Sequence, residues 1–262
     1  MIKRFAIPVS AIALAAGSMA LATPAMAATA APAPHARLLP GGVFKPATGL
    51  GAHSSVRAGG KSIEYSSNWS GYAVTGGTYT SVSATWVQNA GTCSSSDTDT
   101  DMSPWVGIDG YSSSSVEQTG TSVDCSGSTK SYYAWYEMYP ANFVTISHTV
   151  KAGDTFYGAV TRSGTSYTLK LEDETQGWTN TVTKTASGNA NSSAEAIMEM
   201  AADELTPWSG TDPFTSFTVN GVAAGSAGTT HQMEIEDGST LCDTTSSLSS
   251  GENFTNTWDA LC

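Results

Sequence analysis

From about residue 66 onward the chain alternates apolar and polar residues in short runs, and this limits the structures open to it. Thr80–Trp86, Thr155–Thr161, Tyr167–Leu171, Phe214–Val219 and His231–Ile235 each read as strands of this kind. In an extended strand such a pattern sends one set of side chains to a core and the other to solvent. Turn-forming groups, Ser163-Gly164, Ser187-Gly188-Asn189 and Asn220-Gly221, separate the runs. Many short strands with regular turn signals predict an all-β sandwich or jelly roll. No internal repeat of a propeller or solenoid is present. One stretch dissents. Ser193–Leu205 places Ile197, Ala201 and Leu205 four apart behind a Ser at the N-cap position, which locally favours a helix. Read as a strand, the same stretch puts Glu195, Ile197 and Glu199 on one face.

The first 65 residues are written differently. Lys3 and Arg4 precede an apolar run from Phe5 to Leu21, and Ala25-Met26-Ala27 supplies the small-x-small pattern of a signal-peptidase site. Residues 1–27 are expected to be a removable export signal, since no other stretch approaches the ~18 apolar residues of a membrane span. Residues 28–63, rich in Pro, Ala and Gly, read as a pro-segment or linker, and 64–262 as the folded domain. Charge sharpens the division. Residues 1–65 carry six Lys or Arg and one acid, Glu64, whereas the other 197 carry five bases and 22 acids, a net −17. A basic leader on an acidic domain suggests a pro-segment held partly by charge attraction, an inhibitor that acid would loosen. The same acidity leaves no electrostatic footprint for nucleic acid or an anionic membrane surface. The mature product is expected to be secreted, soluble and monomeric.

Four cysteines, at 93, 125, 242 and 262, form an even set in an exported chain. Pairing near neighbours gives Cys93–Cys125 and Cys242–Cys262. No C-x-x-C, H-E-x-x-H, G-x-S-x-G or Gly-rich phosphate loop is present. The run from Asp97 to Asp101 imitates the start of a calcium loop, but Met102 and Ile108 stand where Gly and Glu are needed, so a solvated acidic loop is expected. His148 and His231 lie in no triad-like setting and read as surface or strand residues. What remains is carboxylate chemistry, with no metal or cofactor required.

Three segments concentrate unusual residues: Asn68-Trp69-Ser70-Gly71-Tyr72; Trp105-Val106-Gly107-Ile108-Asp109-Gly110 with Gln118-Thr119-Gly120; and Trp135-Tyr136-Glu137-Met138-Tyr139-Pro140. In the last, period two sets Trp135, Glu137 and Tyr139 on one face and Tyr136 and Met138 on the other. An acid between two aromatics suits a cleft lining, or an aromatic core around a satisfied buried Glu.

In this order and spacing, N-W-S-G, W-V-G-I-D-G, Q-T-G and W-Y-E-M-Y-P resemble the glutamic peptidases, the eqolisins, over most of residues 66–220. The resemblance implies a two-sheet, concanavalin-like β-sandwich and an endopeptidase acting on protein or peptide substrates. It implies a catalytic dyad of Gln118 and Glu199, the latter in Ala194-Glu195-Ala196-Ile197-Met198-Glu199, and sets that stretch on a strand. Trp69, Trp105, Asp109, Glu137 and Tyr139 are implied as substrate-binding residues that line or support the cleft. The chain departs from the family pattern at Glu117, where an apolar residue usually precedes the Gln. It departs again at Met200-Ala201, where an acidic-aromatic pair often follows the Glu. Glu195 is the alternative base. A Glu base titrates near ~4.3 and can work in acid, where a His-based triad is protonated. Two other readings stay open on the residues alone. One is a glycoside hydrolase using Glu137 and Glu199 about 5 Å apart; the other is a carbohydrate-binding module with exposed Trp69 and Trp105.

Overall fold

Wherever the sequence alternates, the chain is extended, and among the described residues the one helical element is a single 3-10 turn, Ala224–Ser226. The computed structural model describes residues 44–50, 54–56, 62–96 and 99–262. The proposed export signal and most of the proposed pro-segment lie outside the described residues. The first strands are β1 (Ser54–Val56), β2 (Ser62–Ser66), β3 (Trp69–Thr75), β4 (Ser81–Val87), β5 (Thr100–Ile108) and β6 (Val116–Ser126). They are followed by β7 (Thr129–Tyr139), β8 (Val144–Ile146), β9 (Thr155–Ser163), β10 (Ser166–Asp173), β11 (Trp178–Thr185) and β12 (Ser193–Glu199). The chain closes with β13 (Glu204–Leu205), β14 (Asp212–Val219), β15 (Val222–Ala223), β16 (Thr229–Asp237), β17 (Thr240–Thr245) and β18 (Phe254–Trp258). Each of the five alternating runs falls within a strand, give or take one residue.

Hydrogen-bonded neighbours define two layers. One runs β1–β2–β16–β3–β12–β5–β6–β7–β8, the other β18–β14–β4–β9–β10–β11. Strand β17 pairs with both β16 and β18 and carries the sheet from one layer into the other. Between the layers lies the main core. Tyr72, Val74, Val106, Ile108, Ala194 and Ala196 face Trp86, Phe156, Val160, Leu169, Leu171 and Phe214. This is a β-sandwich, as the alternation implied. Among the described residues no helix is long and apolar enough to cross a membrane. Both near-neighbour disulfides form.

The local helical signal at Ser193–Leu205 is overruled. Residues 193–199 form β12, between β3 and β5, with all seven residues buried. A strand buried on both faces shows no alternation of solvated and buried residues, and two buried glutamates four apart imitate the polar stripe of a helix. The acidic-loop expectation also needs correction at its last member: Asp101 belongs to β5 and is 3% exposed.

Candidate active site

The outer face of the first layer carries a second apolar cluster: Trp69, Ala73, Trp105, Val116, Tyr133, Trp135, Phe143, Ile197 and Met233, with Phe44 laid on it. Register explains its membership. Ile197 sits opposite Trp105, Trp105 opposite Gly120, and Gly120 opposite Trp135. One row along, Gly107 lies between Glu195 and Gln118, and Gln118 pairs with Glu137. Directly opposed residues share a face, so these side chains all leave the sheet on the same side. The glycines make room for them. A Cβ at Gly120 would lie 2.5 Å from Trp105 Cβ and 3.0 Å from Trp135 Cζ2, and one at Gly107 3.1 Å from Gln118 Cβ.

Two hydrogen bonds tie polar groups of this face to one another, while Gln118 Oε1, Glu137 Oε1 and both Glu195 oxygens are buried without a partner. Trp105 Nε1–H donates to Glu199 Oε2 at 2.8 Å, and Gln118 Nε2–H donates to Glu137 Oε2 at 2.7 Å. Gln118, Glu137 and Glu199 are all fully buried. Burial pushes the Glu137 carboxyl up to about 8 against the opposing Gln118 hydrogen bond. Burial also lifts Glu199 well above the carboxylate range, with the nearby Glu137 charge adding to it. Glu195, four residues earlier on the same face, stands about 13 Å along the strand. Its pKa is raised by burial and by Asp109 and Glu117, so its electrostatic neighbours differ from those of Glu199.

Strand β12 is clamped at both ends by aspartates. Asp109 accepts from the backbone N–H of Asn191 at 2.7 Å and of Ser192 at 2.9 Å, just before the strand. Asp101 accepts from Ala201 N–H at 2.9 Å and Ala202 N–H at 2.7 Å, just after it. Asp109, implied as substrate-binding, is thus a strut: its oxygens are occupied by backbone donors. Trp69 and Trp105 are wholly buried, with rings 4.9 Å apart and edge to face, which removes the exposed platform a carbohydrate-binding module needs. Tyr139 is half-buried beside the same cluster.

Residues 44–50 lie across this face. Lys45 N–H donates to Glu199 Oε1 at 2.8 Å. The Phe44 ring stacks on Trp135 with centroids 3.7 Å apart and planes 9° from parallel, and sits 5.2 Å from Phe143. Ala47 N–H donates to Gly110 O. Asn68 secures the rest, donating from Nδ2 to Lys45 O and Pro46 O and accepting at Oδ1 from Thr48 N–H. Asn68 opens an N-x-S sequon, yet its amide is buried in these bonds. Phe44, Lys45, Asn68 and Phe143 had no assigned role in the sequence, and Asp101 was read as part of a solvated loop; of the five, Asn68 and Asp101 stood in motifs that could have drawn attention to them.

The model of the peptidase A4 family matches residues 67–258. The chain belongs to this family, the glutamic peptidases. Aspergillopepsin-2 of Aspergillus niger is 32% identical over 229 residues, covering 74% of this chain and 78% of that protein. Scytalido-glutamic peptidase, solved with a transition state analog inhibitor, superposes with a TM-score of 0.60 at 25% identity, over 74% of this chain and 98% of that one. Aspergilloglutamic peptidase from Aspergillus niger gives a TM-score of 0.51 at 29% identity, over 61% and 99%. The chain is therefore a peptide-bond hydrolase, and the glycoside hydrolase reading falls. Residues 44–50 and strand β1 precede the family-matched domain.

Proposed function

We propose that this chain is a secreted acid endopeptidase acting on proteins or peptides through Gln118 and Glu199, made as a precursor whose leader lies against Glu199. Glu199, once uncovered and ionised, takes a proton from a water that attacks the scissile carbonyl. The Gln118 amide donates an N–H to the oxyanion of the tetrahedral intermediate, a contact whose loss typically raises such a barrier by about 3–4 kcal/mol. Protonated Glu199 then gives its proton to the leaving amine. Trp105 holds the Glu199 carboxylate in place through Oε2. Glu137 holds the Gln118 amide, fixing which way its N–H and C=O point.

The observation that supports this reading is that an amide and a carboxylate, each oriented by its own partner, leave the sheet on the same buried face. Secretion is supported by the two disulfides, which form and persist in oxidising compartments. The test is casein hydrolysis at pH ~3.5 by acid-treated protein carrying Gln118→Ala, Glu199→Gln or Glu195→Gln, with the first two expected to lose at least ~10²-fold in kcat. Loss confined to Glu195→Gln would transfer the base to that residue.

A further inference from the structure

Outside the dyad, three adjacent strands bring a hydroxyl, an imidazole and a carboxylate together. We propose that they form a second hydrolytic site, with Thr75 as nucleophile, His231 as general base and Glu64 as the group that orients His231, and that the site cleaves small uncharged carboxylic esters.

Register assembles the three. In the pairing of β16 with β3, His231 lies opposite Ala73 and Thr229 opposite Thr75, so Thr75 and His231 are diagonal neighbours on one face. In the pairing of β16 with β2, Glu64 lies opposite Met233, two residues from His231 and on the same face. Thr75 Oγ1 is 2.7 Å from His231 Nε2, and Glu64 Oε1 is 2.7 Å from His231 Nδ1. An ionised carboxylate only accepts, so Nδ1 carries the proton and Nε2 is left to accept from the Thr75 hydroxyl. That is the tautomer a general base needs. Tyr111 locks it. Its hydroxyl donates to Glu64 Oε2 and lies 2.7 Å from His231 Nδ1, and its ring lies over the imidazole with centroids 4.4 Å apart. His231, an ordinary strand residue by its neighbours in sequence, is thus the middle member of a hydroxyl–imidazole–carboxylate chain. No motif marks it, because its members stand at 64, 75 and 231.

The group can be reached from solvent. Thr75 is half-buried, and the side chains of His231 and Glu64 are 19% and 24% exposed. Thr75 ends β3, and at the next residue, Gly76, an added Cβ would meet nothing nearer than Thr229 Oγ1 at 3.8 Å. Beside His231 and Glu64 a cavity of about 360 Å³ is lined by Ser62, Thr229, Thr230, Tyr72 and Leu248, with no Lys or Arg in its walls. Hydroxyls and apolar groups without a cation suit a short, uncharged ester. Thr75 lies at the opposite end of β3 from Trp69, the residue paired with Glu199, about 20 Å along the strand.

The reaction needs only water besides the ester. Thr75 Oγ1 adds to the ester carbonyl as its proton passes to His231 Nε2. The C–O bond to the alcohol breaks, the alcohol leaves with that proton, and the acyl group stays on Thr75. Water then adds to the acyl carbonyl, His231 takes its proton and returns it to the Thr75 oxygen, and the carboxylic acid is released.

The experiment gives the full-length protein p-nitrophenyl acetate at pH ~7.5, where an imidazole nitrogen is free to take a proton, and follows the release of p-nitrophenol. An acid quench traps the acyl-enzyme for peptide mapping by mass spectrometry, and the acetyl group should be found on Thr75. Thr75→Val, which keeps the shape of the side chain, and His231→Gln should each lower the rate at least ~10²-fold, and Thr75→Ser should restore it. Glu64→Gln should slow acylation with Thr75 still the residue modified. An unchanged rate in Thr75→Val overturns the inference. So does an acetyl group found only on other residues, or a wild-type rate no faster than that of free imidazole at the same concentration. None of these outcomes bears on Gln118 and Glu199.

Discussion

The backbone N–H of Lys45 and the carboxylate of Glu199 lie 2.8 Å apart, 154 residues apart in sequence. With Trp105 on the other oxygen, both oxygens of Glu199 are engaged and the group is fully buried. Burial holds the carboxyl protonated well beyond its ordinary range, and a protonated carboxyl cannot accept a proton from water. With residues 44–50 in place, Glu199 has no oxygen open to a water.

Lys45→Pro tests the hold of the leader. It removes the one donor to Glu199 Oε1 while leaving Glu199 itself unchanged. Hydrogen exchange of residues 46–50 should quicken in this variant relative to wild-type precursor.

Stability should rise on acidification. Burial pushes Asp101 up to about 6 and Glu117, Asp124 and Glu137 up to about 8, and lifts Glu195, Glu199, Asp212 and Asp243 well above their usual range. A raised folded pKa means that the native state binds more protons than the unfolded one. Each contribution is therefore full below the unfolded pKa and lost as pH rises through the folded value. The Tm should be at least about 5 °C higher at pH ~5 than at pH ~8, and scanning calorimetry across that window checks it.

Glu64 has the opposite sign. Burial raises its pKa, but hydrogen bonds with His231 and Tyr111 outweigh this and hold it below the usual range. Its contribution is present above the unfolded pKa and lost as pH falls through the folded one. Glu64 lies on β2, which pairs with β1, so acid should loosen this hairpin first. Hydrogen exchange of residues 54–56 and 62–66 should quicken below pH ~4, and in Glu64→Gln it should already be quick at pH ~6.

Asp109→Ala leaves the backbone N–H groups of Asn191 and Ser192 without their acceptor at the entry to β12. The expected cost is about 1–3 kcal/mol per unsatisfied group. Urea unfolding should show the midpoint lowered with the slope unchanged, and Asp109→Asn should recover part of the loss.

Much of the fold could be read in the sequence because a strand with one solvated face announces itself, as Ser81–Val87 and Ser166–Asp173 do with every second residue buried. Strand β12 could not be read that way, since all seven of its residues are buried and its two glutamates mimic a polar helical face. At the site, Gln118, Glu137 and Glu199 were recognisable because they stand in motifs. Asp101 was not: a run of aspartates looks solvated until tertiary contacts supply backbone donors for one of them. Phe44 was hidden for another reason. It sits in a Pro- and Gly-rich leader with no period, and its significance arises only from the Trp135 ring it covers.

The most direct test of the account is the pH dependence of kcat for the trimmed enzyme on a single peptide, compared with its Glu199→Gln variant. The expected activity appears as Glu199 ionises through the acid range, falls towards pH ~7 as the other buried carboxyls lose the protons that stabilise the fold, and is abolished in Glu199→Gln at every pH with the fold intact by circular dichroism. A neutral optimum, or substantial activity surviving in Glu199→Gln, would contradict it.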